Sequence, residues 1–173
     1  MEIVADILKI TIPALLVLLT AWLMLRNMIK NDQNKRRQEL LLQSNKTITP
    51  IRLQAYERVV LFLERISLES LIVRVSSPDM TANQLHIALL NAIRSEFEHN
   101  LSQQIYMSPQ AWEVVKSAKA NTIKLINNEV EKLPPNSTGM DLAKNLFDKV
   151  VEIEKEPTRV AIDFIKSEIA RIF

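Results

Sequence analysis

The feature that most constrains the fold is an uncharged apolar run from Ile10 to Leu25. As an α-helix, residues 3–25 would be about 34 Å long at about 1.5 Å per residue, which exceeds a hydrocarbon core of about 30 Å. A cleaved signal peptide would need a basic start, a shorter apolar core and small residues at a cleavage site, and the run has none of these. We therefore predict an uncleaved transmembrane anchor over residues 1–26, with Trp22 near its far interface.

The charges on either side of this run predict its orientation. Five basic residues follow it closely: Arg26, Lys30, Lys35, Arg36 and Arg37. Before it there is one basic residue, Lys9. Because the side richer in Lys and Arg stays in the cytoplasm, we expect a single-pass protein of the inner (plasma) membrane with its N-terminus outside. The same basic residues would also attract anionic lipid headgroups, although fixing the orientation is their simpler role.

Composition favours helices for the rest of the chain. One glycine among 173 residues leaves few positions for the tight turns of β-hairpins, and Leu, Ile, Ala, Glu, Lys and Gln are common. We predict an all-α fold in three parts. The anchor leads into a basic juxtamembrane stalk over residues 27–48, and residues 49–173 form a compact cytoplasmic bundle of about five helices.

Capping residues and prolines mark the predicted helix starts. In chain order they are Thr49 before Pro50, Thr81 with Gln84, Ser108 before Pro109, Thr138 with Asp141, and Pro157. Residues 67–75 are ambiguous between a short helix and an extended segment. The helix that starts at Thr81 is expected to run to about Gln104.

Several function classes are disfavoured by what the sequence lacks. The absence of cysteine excludes disulfides and thiol catalysis, and a single glycine, Gly139, excludes a glycine-rich phosphate loop. The basic excess lies on the stalk, whereas a nucleic-acid-binding domain carries it on the folded body. We therefore expect no enzyme activity, no cofactor, no nucleic-acid partner and no small-molecule substrate.

One pair of residues supports an alternative. Glu96 and His99 have the i, i+3 spacing found in di-iron helical bundles. Such bundles need this motif on two helices and further glutamates from two others, whereas this chain has two histidines in all. A metal-dependent bundle enzyme using Glu96 and His99 with Glu57 or Glu64 is thus the rival hypothesis, and a solvated helix face is the simpler one.

Two surfaces are candidates for protein docking. One is a polar and aromatic strip at a helix end, which consists of Glu96, His99, Gln103 and Tyr106. The other is the apolar face of the last helix, which carries Ile165, Ile169 and Phe173. The apolar face could equally be buried within one monomer. The polar strip has a simpler interpretation as a helix end that satisfies its own carbonyls and packs Tyr106 on the next helix. The partner that we expect is another protein or a second copy of the chain.

Residues 51–66 (IRLQAYERVVLFLERI) and 96–106 (EFEHNLSQQIY), together with the anchor and Trp112, carry a family resemblance. The chain resembles an uncharacterised family of small Bacteroidota membrane proteins with one N-terminal transmembrane helix and a cytoplasmic helical domain. The resemblance implies a bacterial inner-membrane protein and no particular activity. Our main prediction is a membrane-tethered, non-enzymatic interaction or scaffold module, in which confinement to the bilayer raises the effective concentration of the bundle at its partner.

Overall fold

The computed structural model describes the backbone of residues 2–172 and the side chains of residues 15–33, 35–36, 39, 43 and 46–172. These residues form six α-helices and one 3₁₀ helix, and no β-strand occurs among them. In chain order the helices are α1 (Glu2–Arg65), α2 (Leu68–Val75), α3 (Ala82–Asn100), the 3₁₀ helix (Leu101–Ile105), α4 (Pro109–Glu131), α5 (Gly139–Glu152) and α6 (Pro157–Ile172). The predicted all-α fold class is confirmed.

The chain divides into two compact units, Met1–Thr49 and Pro50–Phe173. In the first unit, every side chain from Leu15 to Gln33 is exposed. Among the residues that the structure describes, no helix is long and apolar enough to cross a membrane. Residues 1–14 of the predicted anchor lie outside the residues whose side chains are described, as do residues 34, 37–38, 40–42 and 44–45 of the stalk.

Thr49 and Pro50 do not start a helix, because α1 runs through both residues. The helix start predicted at this position is wrong. A proline inside a helix removes the one N–H that would bond to the carbonyl four residues earlier, and at an exposed position water can satisfy that carbonyl. Lys46 and Pro50 are both exposed, so water can reach that carbonyl, and α1 is continuous through this position.

The second unit is built on a core to which α1 contributes the face that the helical spacing predicts. The buried residues on this face of α1 are Ala55, Tyr56, Val59, Phe62 and Leu63, and Ile66, which directly follows the helix, is also buried. Side chains of the later helices complete the core, among them Leu71 of α2, Leu89 of α3 and Ile162 of α6. Residues 68–75 are helical, which decides between the two conformations that the sequence allowed.

Local capping sets the other helix boundaries. The predicted starts at Thr81, Ser108, Thr138 and Pro157 are confirmed. At Thr81, the hydroxyl oxygen accepts a hydrogen bond from Gln84 N–H at 3.2 Å, and the Gln84 side chain accepts one from Thr81 N–H at 2.9 Å. At its other end α3 stops at Asn100, earlier than predicted, and the 3₁₀ helix follows.

The segments that precede α3 and α5 pair with each other. Ala82 N–H donates to the Ser137 carbonyl at 3.0 Å, and Gly139 N–H donates to the Met80 carbonyl at 2.7 Å. A β-carbon at position 139 would lie 2.9 Å from that Met80 oxygen. The chain's one glycine therefore occupies a position where another backbone segment approaches too closely for a side chain.

Candidate docking site

A groove of about 540 Å³ opens between α1 and α3 on the surface of the second unit. We call it the basic groove. Its lining residues are Arg58, Leu61, Phe62 and Arg65 of α1 and Ser95, Glu96, His99 and Asn100 of α3. Leu61 is 55% exposed, although it lies beside the fully buried core residue Phe62. The groove therefore combines an accessible apolar floor with charged side chains at its edges.

Glu96 organises the charged part of the groove. One oxygen of its carboxylate lies 2.8 Å from Arg65 Nη2 and 2.8 Å from Arg74 Nη1. Arg74 also donates to the Arg65 carbonyl at 3.0 Å, so the end of α1, α2 and α3 are joined through this carboxylate. The Glu96 side chain is 17% exposed, whereas the Arg65 side chain is 54% exposed. The arrangement neutralises Glu96 and leaves guanidinium groups at the surface.

This geometry bears directly on the metal hypothesis. His99 Nδ1 lies 2.8 Å from the Ser95 carbonyl oxygen, so this nitrogen carries the proton and donates. Within the described part of the chain, no group of three or more His, Asp or Glu side chains is placed to hold a metal ion. Glu57 and Glu64 do not line the groove with Glu96 and His99. The ligand set that the rival hypothesis needs does not assemble there.

The predicted polar strip is divided in the structure. Glu96 and His99 line the basic groove, whereas Gln103 and Tyr106 lie in and after the 3₁₀ helix and do not line it. The backbone carbonyl of Tyr106 accepts a hydrogen bond from Arg52 Nε at 3.2 Å, and the Tyr106 side chain is 40% exposed. The sequence could not predict this division, because a 3₁₀ turn replaces the last turn expected of α3.

The apolar face of α6 is not a free surface over its described length. Ile165 is fully buried in the core and Ile169 is half-buried against it, so the expectation that these residues form a docking surface is corrected. Phe173 lies outside the described residues. Helical spacing correctly predicts an amphipathic α6, but it does not say that the other helices of the same unit cover its apolar side.

A part-buried polar cluster of Tyr56, Ser108 and Glu168 joins α1, the start of α4 and α6. The Tyr56 hydroxyl donates to one carboxylate oxygen of Glu168, and the Ser108 hydroxyl donates to the other at 2.7 Å. Ser108 also accepts from Ala111 N–H at 3.0 Å. Burial, together with the Glu168 carboxylate, raises the pKa of Tyr56. Through these hydrogen bonds the cluster links α1, the start of α4 and α6.

Glu156 caps the start of α2 from a distant part of the sequence. Its carboxylate accepts a hydrogen bond from Leu68 N–H at 2.6 Å and so satisfies the first turn of α2. Ser67, which precedes that turn, makes no side-chain capping bond. Burial raises the pKa of Glu156, although the hydrogen bond from Leu68 acts in the opposite direction. Sequence reasoning missed both this cap and the Tyr56 cluster, because neither has a local spacing signal.

One family model matches residues 2–172 of the sequence, which covers nearly the whole chain and both units. The chain belongs to DUF7935, a family of unknown function. No curated protein and no solved structure matches it. Membership in DUF7935 confirms that the chain belongs to an uncharacterised family. The membrane location and the bacterial group that the resemblance implied stay predictions.

The basic residues after the apolar run are exposed wherever the structure of this DUF7935 member describes them. Arg26, Lys30, Lys35 and Arg36 are all at the surface, and the Arg37 side chain lies outside the description. Arg36 Nε lies 3.1 Å from an Asp32 carboxylate oxygen. The Arg26 guanidinium carbon lies 5.3 Å from the centre of the Trp22 ring, a cation–π distance. The described side chains of this basic cluster therefore keep their positive charges at the surface of the helix.

Proposed function

We propose that this DUF7935 member is a non-enzymatic docking module, which residues 1–26 hold at the cytoplasmic face of a bacterial inner membrane. The bundle of the second unit presents the basic groove to a protein partner. Tethering is the mechanism, because confinement near the bilayer raises the effective concentration of the groove at any membrane-bound partner. A weak intrinsic contact is then sufficient.

The observation that carries the tether is an apolar helical surface that the described residues leave uncovered. Eleven large apolar side chains between residues 15 and 29 are each at least 45% exposed: Leu15, Leu16, Val17, Leu18, Leu19, Trp22, Leu23, Met24, Leu25, Met28 and Ile29. A soluble surface helix has an apolar stripe on one side, whereas this segment is apolar all round. Such a surface is stable when lipid or protein covers it, and the basic residues that follow favour lipid.

The docking role rests on the basic groove. Its floor residue Leu61 and its edge residue Arg58 are both exposed, and Arg65 and Arg74 are held in place by Glu96. Interfaces commonly place apolar anchors and arginines side by side, because a guanidinium group can make several directed hydrogen bonds. The groove carries an exposed apolar side chain and arginines on two neighbouring helices, α1 and α3.

Membrane retention tests the proposal. We expect the full chain to stay in the membrane pellet after high-salt and alkaline washes, and to leave it in detergent. The double variant Leu16→Arg, Leu19→Arg should shift to the soluble fraction, since charged residues at the centre of a span cost roughly 3 kcal/mol each. Ile48→Arg changes an exposed apolar residue of α1 outside the run and should be retained. Release of the unaltered chain by the washes would overturn the proposal.

A further inference from the structure

We infer that the occupant of the basic groove is a second copy of this chain, which inserts the exposed acidic end of its α5. The inference deepens the proposed docking function and rests on it. Its basis is that one molecule carries an exposed Arg58 beside the exposed Leu61, and an exposed Glu154 near the exposed Val151, and neither charge has an ion-pair partner among the described residues.

The groove supplies the positive partner. Arg58 has no ion-pair partner among the described residues, and Arg65 lies on the same edge. The one carboxylate that lines the groove belongs to Glu96, and it is already neutralised by two arginines. An incoming carboxylate can therefore pair with Arg58 inside the groove, and Leu61 offers apolar contact beside it. The exposed acids Glu64 and Glu69 lie on the other side of Leu61, outside the groove.

The acidic end of α5 supplies the complementary partner. We define it as the exposed residues Asp148, Val151 and Glu152 of α5 together with Glu154, which follows the helix. Lys149 and the exposed Lys155 lie in the same segment. Val151 is 86% exposed, more than any other large apolar side chain that the structure describes. Glu152 lies 2.9 Å from Lys149 Nζ, whereas Glu154 has no ion-pair partner among the described residues. An exposed valine flanked by carboxylates matches a leucine flanked by guanidinium groups.

The two surfaces meet between molecules and not within one. Residues 148–154 do not line their own molecule's groove, which is formed by α1 and α3 alone. Copies anchored in the same bilayer are concentrated in a thin layer, so a contact of modest affinity would be populated there. A partner of another kind would have to bring both the acidic groups and the apolar residue that this chain already has.

Site-directed crosslinking tests the contact in full-length protein reconstituted in lipid vesicles. The chain has no cysteine, so single cysteines can be introduced without background. Mixing differently tagged Leu61→Cys and Val151→Cys copies under mild oxidation should give a disulfide-linked heterodimer. Met140→Cys is the matched control, because Met140 lies at the opposite end of α5 and is 68% exposed. Equal yields with Val151→Cys and Met140→Cys would overturn the inference.

Charge exchange provides the second measurement. At low salt, Arg58→Glu in the Leu61→Cys copy should lower the crosslinking yield roughly fivefold, which corresponds to about 1 kcal/mol for an exposed ion pair. Glu154→Arg in the Val151→Cys copy should restore the yield of that mixture. Failure of the exchange to restore it would contradict the inference. Monomeric protein that stays in the membrane would also contradict it, while leaving the proposed tether intact.

Discussion

Glu156 accepts a hydrogen bond from the backbone N–H of Leu68 at 2.6 Å, although 88 residues separate the two in sequence. The bond fixes the start of α2 to the turn before α6. The same α2 carries Arg74 in its last turn. This long-range cap therefore joins α2 to a part of the bundle that is far away in the sequence.

We expect Glu156→Ala to destabilise the bundle by about 1 kcal/mol, because Leu68 N–H loses its capping acceptor. Glu156→Gln keeps an acceptor and should cost less. Urea unfolding followed by circular dichroism measures both. Glu154→Gln, an exposed neighbour, should unfold at the same urea concentration as the unaltered protein. If Glu156→Ala did the same, the cap would contribute nothing to stability.

The pH dependence of the same variants follows from the raised pKa of Glu156. Between the ordinary carboxyl pKa and the raised value, the folded state binds more protons than the unfolded state, so stability falls as the pH rises. The unaltered protein should therefore lose stability relative to Glu156→Gln as the pH passes upward through that window. Unfolding free energies measured at several pH values check this. If the difference in unfolding free energy between the two proteins did not change with pH, the pKa of Glu156 would not be raised.

Tyr56→Phe should destabilise the bundle by about 1–2 kcal/mol, because Glu168 loses a hydrogen-bond donor inside a part-buried cluster. Tyr106→Phe is the control, since its ring is partly exposed and the Tyr106 hydrogen bond uses the backbone carbonyl. Thermal unfolding of both variants measures the two changes in stability. Equal effects would mean that the Tyr56 hydroxyl is not structurally important.

Gly139→Ala tests the pairing of the two loops. A glycine-to-alanine change inside a helix usually stabilises by up to about 1 kcal/mol. Here the new β-carbon would lie 2.9 Å from the Met80 carbonyl oxygen, so we expect destabilisation instead. Asn83→Ala, at an exposed position in the first turn of α3, should change the unfolding free energy by less than about 0.5 kcal/mol. A stabilised Gly139→Ala variant would show that the loops separate easily.

Glu96→Ala should loosen the groove by freeing Arg65 and Arg74. The loss of stability should be about 1 kcal/mol or less, because both guanidinium groups are partly exposed and can be solvated. Hydrogen exchange in α2 should increase at the same time. Glu98→Ala, on the exposed side of α3, is the matched control and should leave the exchange unchanged.

Features with a local sequence signal were predictable. Thr81 with Gln84, and Ser108 before Pro109, identify helix starts because the capping groups lie within one turn of each other. Thr49 before Pro50 has the same signal, yet α1 continues through it, because the helical residues on both sides outweigh the cost of one interior proline.

Features that depend on tertiary contacts were not predictable. The burial of Ile165 requires knowing which helices cover α6, and the Tyr56–Glu168 bond joins residues 112 positions apart. The sequence predicts part of the basic groove, since Glu96 and His99 are candidate docking residues and both line it. Its other half comes from α1, and no spacing rule connects Arg58 or Leu61 with α3.

Solvent accessibility of single cysteines tests the central claim most directly, namely that the apolar run lies in a bilayer and the bundle in the cytoplasm. We expect Leu18→Cys not to react with a membrane-impermeant maleimide in intact cells or in opened ones. We expect Ser102→Cys, on the exposed surface of the 3₁₀ helix, to react only after the cells are opened. Labelling of Leu18→Cys as fast as Ser102→Cys in opened cells would show that the run is not in a bilayer, and labelling of Ser102→Cys in intact cells would show that the bundle is not in the cytoplasm.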